Sequence, residues 1–192
     1  MKKIIVTGGA GYIGSHTVVE LDRSGFEPII IDNLCNSSIR NIDGISKIIK
    51  REIKWYNVDC TDKKSISRIL SKENEISAII HFAAYKSVEE SVRFPKKYYT
   101  NNIDSLRVIL DCMKEREILN IIFSSSCTVY GNPDYLPVDE RSVFKKASSP
   151  YGETKQICEN MIQEAECNSV SLRYFNPVGC HDSILIGDCS ND

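Results

Sequence analysis

The chain has 192 residues, 42% of them hydrophobic and 26% charged, with a formal net charge of −2. Those values describe one globular domain with a full apolar core and room for a small extension. They exclude a global electrostatic field suited to nucleic acid or an anionic membrane.

Short β-branched runs alternate with longer amphipathic stretches along the chain. The first strand is predicted at Lys3–Thr7, followed by a helix over Tyr12–Ser24 that stops at Gly25. Strands follow at Pro28–Ile31 and Ile53–Asn57, and the basic run from Lys47 to Lys54 reads as a solvated helix face. A short helix at Ser65–Ser71 precedes a strand at Ala78–Phe82. Lys96–Glu117 reads as one long helix, with Leu106, Ile109, Leu110 and Met113 at helical spacing. A fifth strand at Ile121–Ser124, a helix at Pro150–Ala165 opened by its proline, and a sixth strand at Ser169–Arg173 complete the pattern. The alternation predicts an α/β fold: a doubly wound, Rossmann-type parallel sheet with helices on both faces.

Met1-Lys2-Lys3 and the few apolar residues before Gly8 do not make a secretory signal, and no run is long enough to span a membrane. A cytoplasmic protein is therefore expected. Its eight cysteines, at 35, 60, 112, 127, 158, 167, 180 and 189, form no Cys-x-x-Cys. None stands at metal-ligand spacing with His16, His81 or His181. Free thiols that mostly fill the core, and no metal, are expected.

The first strand runs into Gly8-Gly9-Ala10-Gly11-Tyr12-Ile13-Gly14, and a helix follows. Glycines allow a tight turn and let the backbone approach a pyrophosphate whose charge rests on the helix N-terminus. Asp32 ends the next apolar run, where a carboxylate binds ribose hydroxyls and repels a 2′-phosphate. Together the two features predict NAD rather than NADP.

Two further segments carry chemistry. Phe123 to Gly131 holds three serines at the end of the fifth strand, and Ser149 to Lys155 opens a helix. Tyr151 and Lys155 are four apart, so they share a helix face. A lysine ammonium beside a tyrosine hydroxyl stabilises the phenolate, which can then serve as a base. A strand-end serine can orient a substrate alcohol.

These blocks resemble the extended short-chain dehydrogenase/reductase superfamily, and within it the UDP-glucose 4-epimerase family. The matching stretches are VTGGAGYIGSHT (6–17), DNLCNSS (32–38), HFAAYKSVEESV (81–92), YYTNN (98–102), FSSSCTVYG (123–131), SPYGETK (149–155) and LRYFNPVG (172–179). The resemblance implies a set of roles, residue by residue. Gly8, Gly11, Tyr12, Ile13 and Gly14 would lie along the pyrophosphate of NAD. Asp32, Asn33, Leu34, Cys35, Asn36 and Ser37 would surround the adenosine ribose, with Asp59 and Cys60 flanking the adenine. Phe82, Ala83, Ala84, Tyr85 and Lys86 would line the nicotinamide side, completed by Asn101 and Phe175. Ser126, Tyr151 and Lys155 match the catalytic positions and also touch the cofactor, while Ser126, Tyr151 and Asn176 would face the sugar nucleotide.

The implied reaction interconverts UDP-glucose and UDP-galactose by oxidation at C4, turnover of the 4-keto sugar and reduction on its other face. A related 4,6-dehydratase needs an acid pair where this chain has Cys127 and Thr128, which disfavours elimination. The chain departs from the family at Ala84, where glycine is usual, and in a short connection from Ala165 to Asn168. It is also little more than half the family's length. The expected division is a cofactor domain over 1–175 and the start of a largely absent substrate domain over 176–192. Three outcomes stay open: an active UDP-glucose 4-epimerase, a related nucleotide-sugar epimerase, or an NAD-binding chain with impaired turnover. Relatives often pair through the helices that match Lys96–Glu117 and Pro150–Ala165, so a homodimer through a four-helix interface is possible on this resemblance.

Overall fold

The computed structural model describes residues 1–189. The last three positions of the region read as 176–192 lie outside them. Six parallel strands run in the order β3-β2-β1-β4-β5-β6, the Rossmann arrangement expected from the alternating pattern. They are β1 (Lys3–Thr7), β2 (Glu27–Asp32), β3 (Trp55–Asn57), β4 (Ile76–His81), β5 (Asn120–Ser126) and β6 (Asn168–Tyr174). The order reverses between β1 and β4, and their carboxyl ends open a crevice there.

The central strands read as unbroken apolar runs because both of their faces are covered. Ile5, Ile29, Ile31, Ile79 and Phe123 point to one face, where α3 (Lys63–Glu73), α6 (Asp104–Glu115) and α7 (Pro150–Glu164) pack. Ile4, Val6, Ile30 and Ile80 point to the other, against α1 (Tyr12–Arg23) and α2 (Ile39–Ile49). That second layer stops short of β6. Val170 and Leu172 share the face of Ile122 and stay 52% and 38% exposed.

Three local expectations are corrected. The run from Lys47 to Lys54 is not one helix face: α2 ends at Ile49, Lys50 caps it in the left-handed region, Ile53 is buried and Lys54 pairs with Glu73 at 2.7 Å. The single helix expected over Lys96–Glu117 is instead α5 (Pro95–Tyr98), a π-helical turn (Tyr99–Ile103) and α6. The cysteines are all free, but only Cys60, Cys112 and Cys158 are fully buried. Cys35, Cys180 and Cys189 are exposed, because they sit on connecting segments rather than in helices or strands. A short helix, α4 (Val88–Arg93), and a 3-10 turn (Cys127–Tyr130) complete the elements. No helix of the described residues is long and apolar enough to cross a membrane.

Candidate active site

A cleft of about 520 Å³ lies along the carboxyl ends of the strands. Every residue singled out from the sequence lines it except Leu34, which packs towards the apolar cluster behind α1 and α2. Gly8 adopts φ +69°, and a Cβ there would stand 2.7 Å from the amide nitrogen of Ala83. A Cβ on Gly14 would meet the Gly8 carbonyl oxygen at 2.2 Å, so α1 can begin this close to β1 only with glycine. Gly11 caps α1 in extended conformation and supplies no side-chain acceptor. The positive end of α1 is thereby offered to the cleft, where an anion would satisfy it.

The acid loop is more heavily bonded than the sequence suggests. Asp32 is 7% exposed; one oxygen accepts the Ala10 amide at 3.0 Å. Its other oxygen accepts the Leu34 amide at 2.9 Å and the Ser37 hydroxyl at 2.8 Å. The carboxylate that would read a ribose also ties the acid loop to the phosphate turn. Farther along the cleft, burial pushes the Asp59 carboxyl up, but hydrogen bonds from Thr61 and Asn33 outweigh it and hold the group below its ordinary range. Burial first, then the Cys35 thiol, raises the Tyr85 phenol to about 12.

The reactive corner forms where β5 meets α7. Ser126 caps the 3-10 turn, accepting the Thr128 amide at 3.2 Å and the Thr128 hydroxyl at 3.0 Å. Ser149 caps α7 through the Gly152 amide at 3.1 Å, and Pro150 sets the first turn, which carries Tyr151. One turn on, Lys155 is 3% exposed, donates to the Ser124 carbonyl oxygen at 2.6 Å and lies 5.8 Å from the Tyr151 ring centre. Tyr151 packs edge-on against Tyr98, whose ring centre is 6.4 Å away.

Sequence reasoning missed two supports. Asn102, in the π-helical turn, accepts the Tyr85 amide at 2.9 Å, and its amide group donates to the Tyr85 carbonyl oxygen at 3.0 Å and Thr154 Oγ1 at 3.3 Å. It locks the loop after β4 to α7, while the widened turn leaves Asn101 on the cleft. The other is His81, fully enclosed, 2.7 Å from the Thr7 hydroxyl and stacked on Phe123. Burial first, then the charge of Lys155, lowers its pKa to about 3.

His81 makes the fold acid-sensitive. The unfolded histidine takes up a proton near pH 6.5, whereas the folded one stays neutral to about pH 3. Between those values the unfolded chain binds more protons, so stability falls as pH falls. Lowering pH from 7 to 5.5 is expected to cost roughly 1 kcal/mol in urea unfolding, and His81→Asn, which keeps a polar partner for Thr7, should remove that slope. An undiminished slope in the variant would clear His81 of the effect.

A Rossmann-ordered sheet with a glycine-cradled cleft ending on a serine, tyrosine and lysine defines a class: an α/β protein shaped to hold a dinucleotide beside a tyrosine–lysine pair. The NAD dependent epimerase/dehydratase family matches residues 4–187, and the chain belongs to that family. It is 45% identical to the UDP-glucose 4-epimerase of Haemophilus influenzae over 98% of its own length, and 46% identical to that of Neisseria meningitidis. Among solved structures, the UDP-glucose 4-epimerase of Bifidobacterium longum in complex with NAD+ and UDP superposes with a TM-score of 0.96 at 40% identity. That match covers the whole of this chain and 58% of the other. The UDP-Glc/GlcNAc 4-epimerase of Campylobacter jejuni superposes at 0.87 with 32% identity. The chain spans about 57% of the length of the relatives it matches.

Proposed function

We propose that this chain carries the cofactor-binding and proton-transfer machinery of a UDP-glucose 4-epimerase that uses NAD. The observation that carries the reading is the convergence of Ser126, Tyr151 and Lys155 at one end of the glycine-cradled cleft. NAD fits the residues present: the α1 N-terminus faces a pyrophosphate, and Asp32 disfavours a 2′-phosphate. Bound NAD would accept and return the hydride at C4 of the sugar.

The protein's own residues handle the proton. Tyr151 removes it from the 4-hydroxyl and returns it after the 4-keto sugar has turned over. Lys155 supports the phenolate with its charge, and its bond to Ser124 pins it to the strand end. The Ser126 hydroxyl orients the sugar oxygen. Dehydration is the second reaction in the family's name, and where the resemblance asks for its acid pair this chain places Cys127 and Thr128, with Thr128 bonded to Ser126. In this reading 1–175 hold the cofactor, 176–192 begin the substrate-binding region, and the stretches Lys96–Glu117 and Pro150–Ala165 offer a dimer face.

The sugar-nucleotide side is open, with Val178 95% exposed. Contacts remote from the reacting atoms normally orient a substrate, and an open wall supplies few. Calorimetry is expected to show NAD binding well, NADP poorly, and UDP-glucose weakly to the NAD-loaded chain. UDP-glucose binding tighter than about 1 μM would show the open side to be sufficient, and absent NAD binding would end the proposal.

A further inference from the structure

Beyond β6 the chain turns back across the cleft. The Tyr12 hydroxyl donates to the Gly179 carbonyl oxygen at 2.5 Å, and Arg23 Nη2 lies 3.0 Å from His181 Nε2. Ile186 then sinks to 3% exposure in the apolar cluster that holds Val18, Val19, Ile42 and Ile45. Asp188 reaches Lys86, on the opposite lip, at 3.2 Å.

The seat of this segment is built into α2. A Cβ on Gly44 would stand 2.1 Å from the Leu185 carbonyl oxygen, so the segment can dock only against glycine. Glycine inside a helix is otherwise unfavourable, and clearance for the segment is what it provides here. Asn41, 1% exposed, donates to the Ala10 carbonyl oxygen at 2.8 Å and to the Gly187 carbonyl oxygen at 3.0 Å. Its own oxygen accepts the Gly187 amide at 3.3 Å. One buried amide thus joins the phosphate turn to the returning segment. The Lys86–Asp188 pair is about half exposed and adds little, so the buried seat carries the docking energy.

We infer that residues 179–188 form a clasp over the dinucleotide, with Asn41 as its positioning residue, and that opening of the clasp limits how fast the cofactor leaves. The inference rests on the NAD reading above. The segment bridges Tyr12 and Lys86 across the cleft, so a dinucleotide held from Asp32 past α1 to Tyr151 would lie beneath it, and its release would require Ile186 to leave its seat.

The test is the release of radiolabelled NAD from the loaded chain, chased with excess unlabelled NAD. Ile186→Ser is expected to accelerate release about 30-fold, the equivalent of ~2 kcal/mol of lost docking. Asn41→Ala should accelerate it as well. Gly44→Ala separates the clasp from general stability, because it improves the helix while colliding with Leu185: release should quicken with helix content unchanged. Wild-type protein that retains no NAD overturns the cofactor reading, and the clasp with it. Wild-type protein that holds NAD, with folded variants that release it at the wild-type rate, overturns the clasp alone.

Discussion

Tyr151→Phe is expected to lower conversion of UDP-galactose by about 10³-fold while leaving NAD affinity nearly unchanged. The substitution removes one oxygen and keeps the ring, so the edge-on contact with Tyr98 and the first turn of α7 survive. What goes is the hydroxyl on that turn that lines the cleft; Glu153, the acid beside it, accepts the Tyr99 hydroxyl at 2.6 Å instead. Lys155→Met should be comparably damaging for a different reason. It removes the bond that ties α7 to the Ser124 carbonyl oxygen and, on the proposed function, the charge that would support proton removal by Tyr151. Because the two residues act as one unit, the double variant should lose little more than either alone. Parallel epimerase assays and NAD titrations check this, and normal turnover in Tyr151→Phe would remove it as the base.

The parts of this site that could be read from the sequence are the ones encoded locally. The glycine turn, Asp32 at a strand end and the four-residue spacing of Tyr151 and Lys155 each sit within one element, and all line the cleft. Strand β1 falls at Lys3–Thr7 as expected, because a strand buried on both faces is written as an unbroken apolar run. The misses depend on partners far along the chain. Asn102 bonds residues 17 and 52 positions away, and the Thr7–His81 contact spans 74. Helix α2 was hidden for a similar reason. Asn41 and Gly44 are poor helix formers in its middle, and they make sense only against a segment some 140 residues later. Leu34 belongs to a binding motif by sequence, yet its backbone lies in the left-handed region and its side chain packs inward.

Behind the strand-end serines lies a charged cluster to which the matching motifs assign no role, and breaking it should produce a large loss of stability. Glu159 is 2% exposed on the inner face of α7. It accepts the Ser125 hydroxyl and two bonds from Arg173, at 3.0 Å through Nε and 2.8 Å through Nη2. Arg173 also donates to the Tyr130 hydroxyl at 3.1 Å and the Glu140 carbonyl oxygen at 3.3 Å, and its guanidinium lies 4.7 Å from the Phe144 ring centre. One arginine on β6 therefore holds α7, the strand end beside Ser126 and the loop that leads to Tyr151. Arg173→Met keeps most of the stem's packing but leaves Glu159 as a buried charge with a single neutral partner. Such a loss costs about 3–5 kcal/mol against a typical total of about 5–15, and thermal melting is expected to drop by roughly 10 °C. Adding Glu159→Leu should recover most of that drop, since the cost lies in the stranded charge more than in the missing attraction. A double variant as unstable as Arg173→Met alone would show instead that the guanidinium's contacts with Tyr130 and Phe144 hold this corner together.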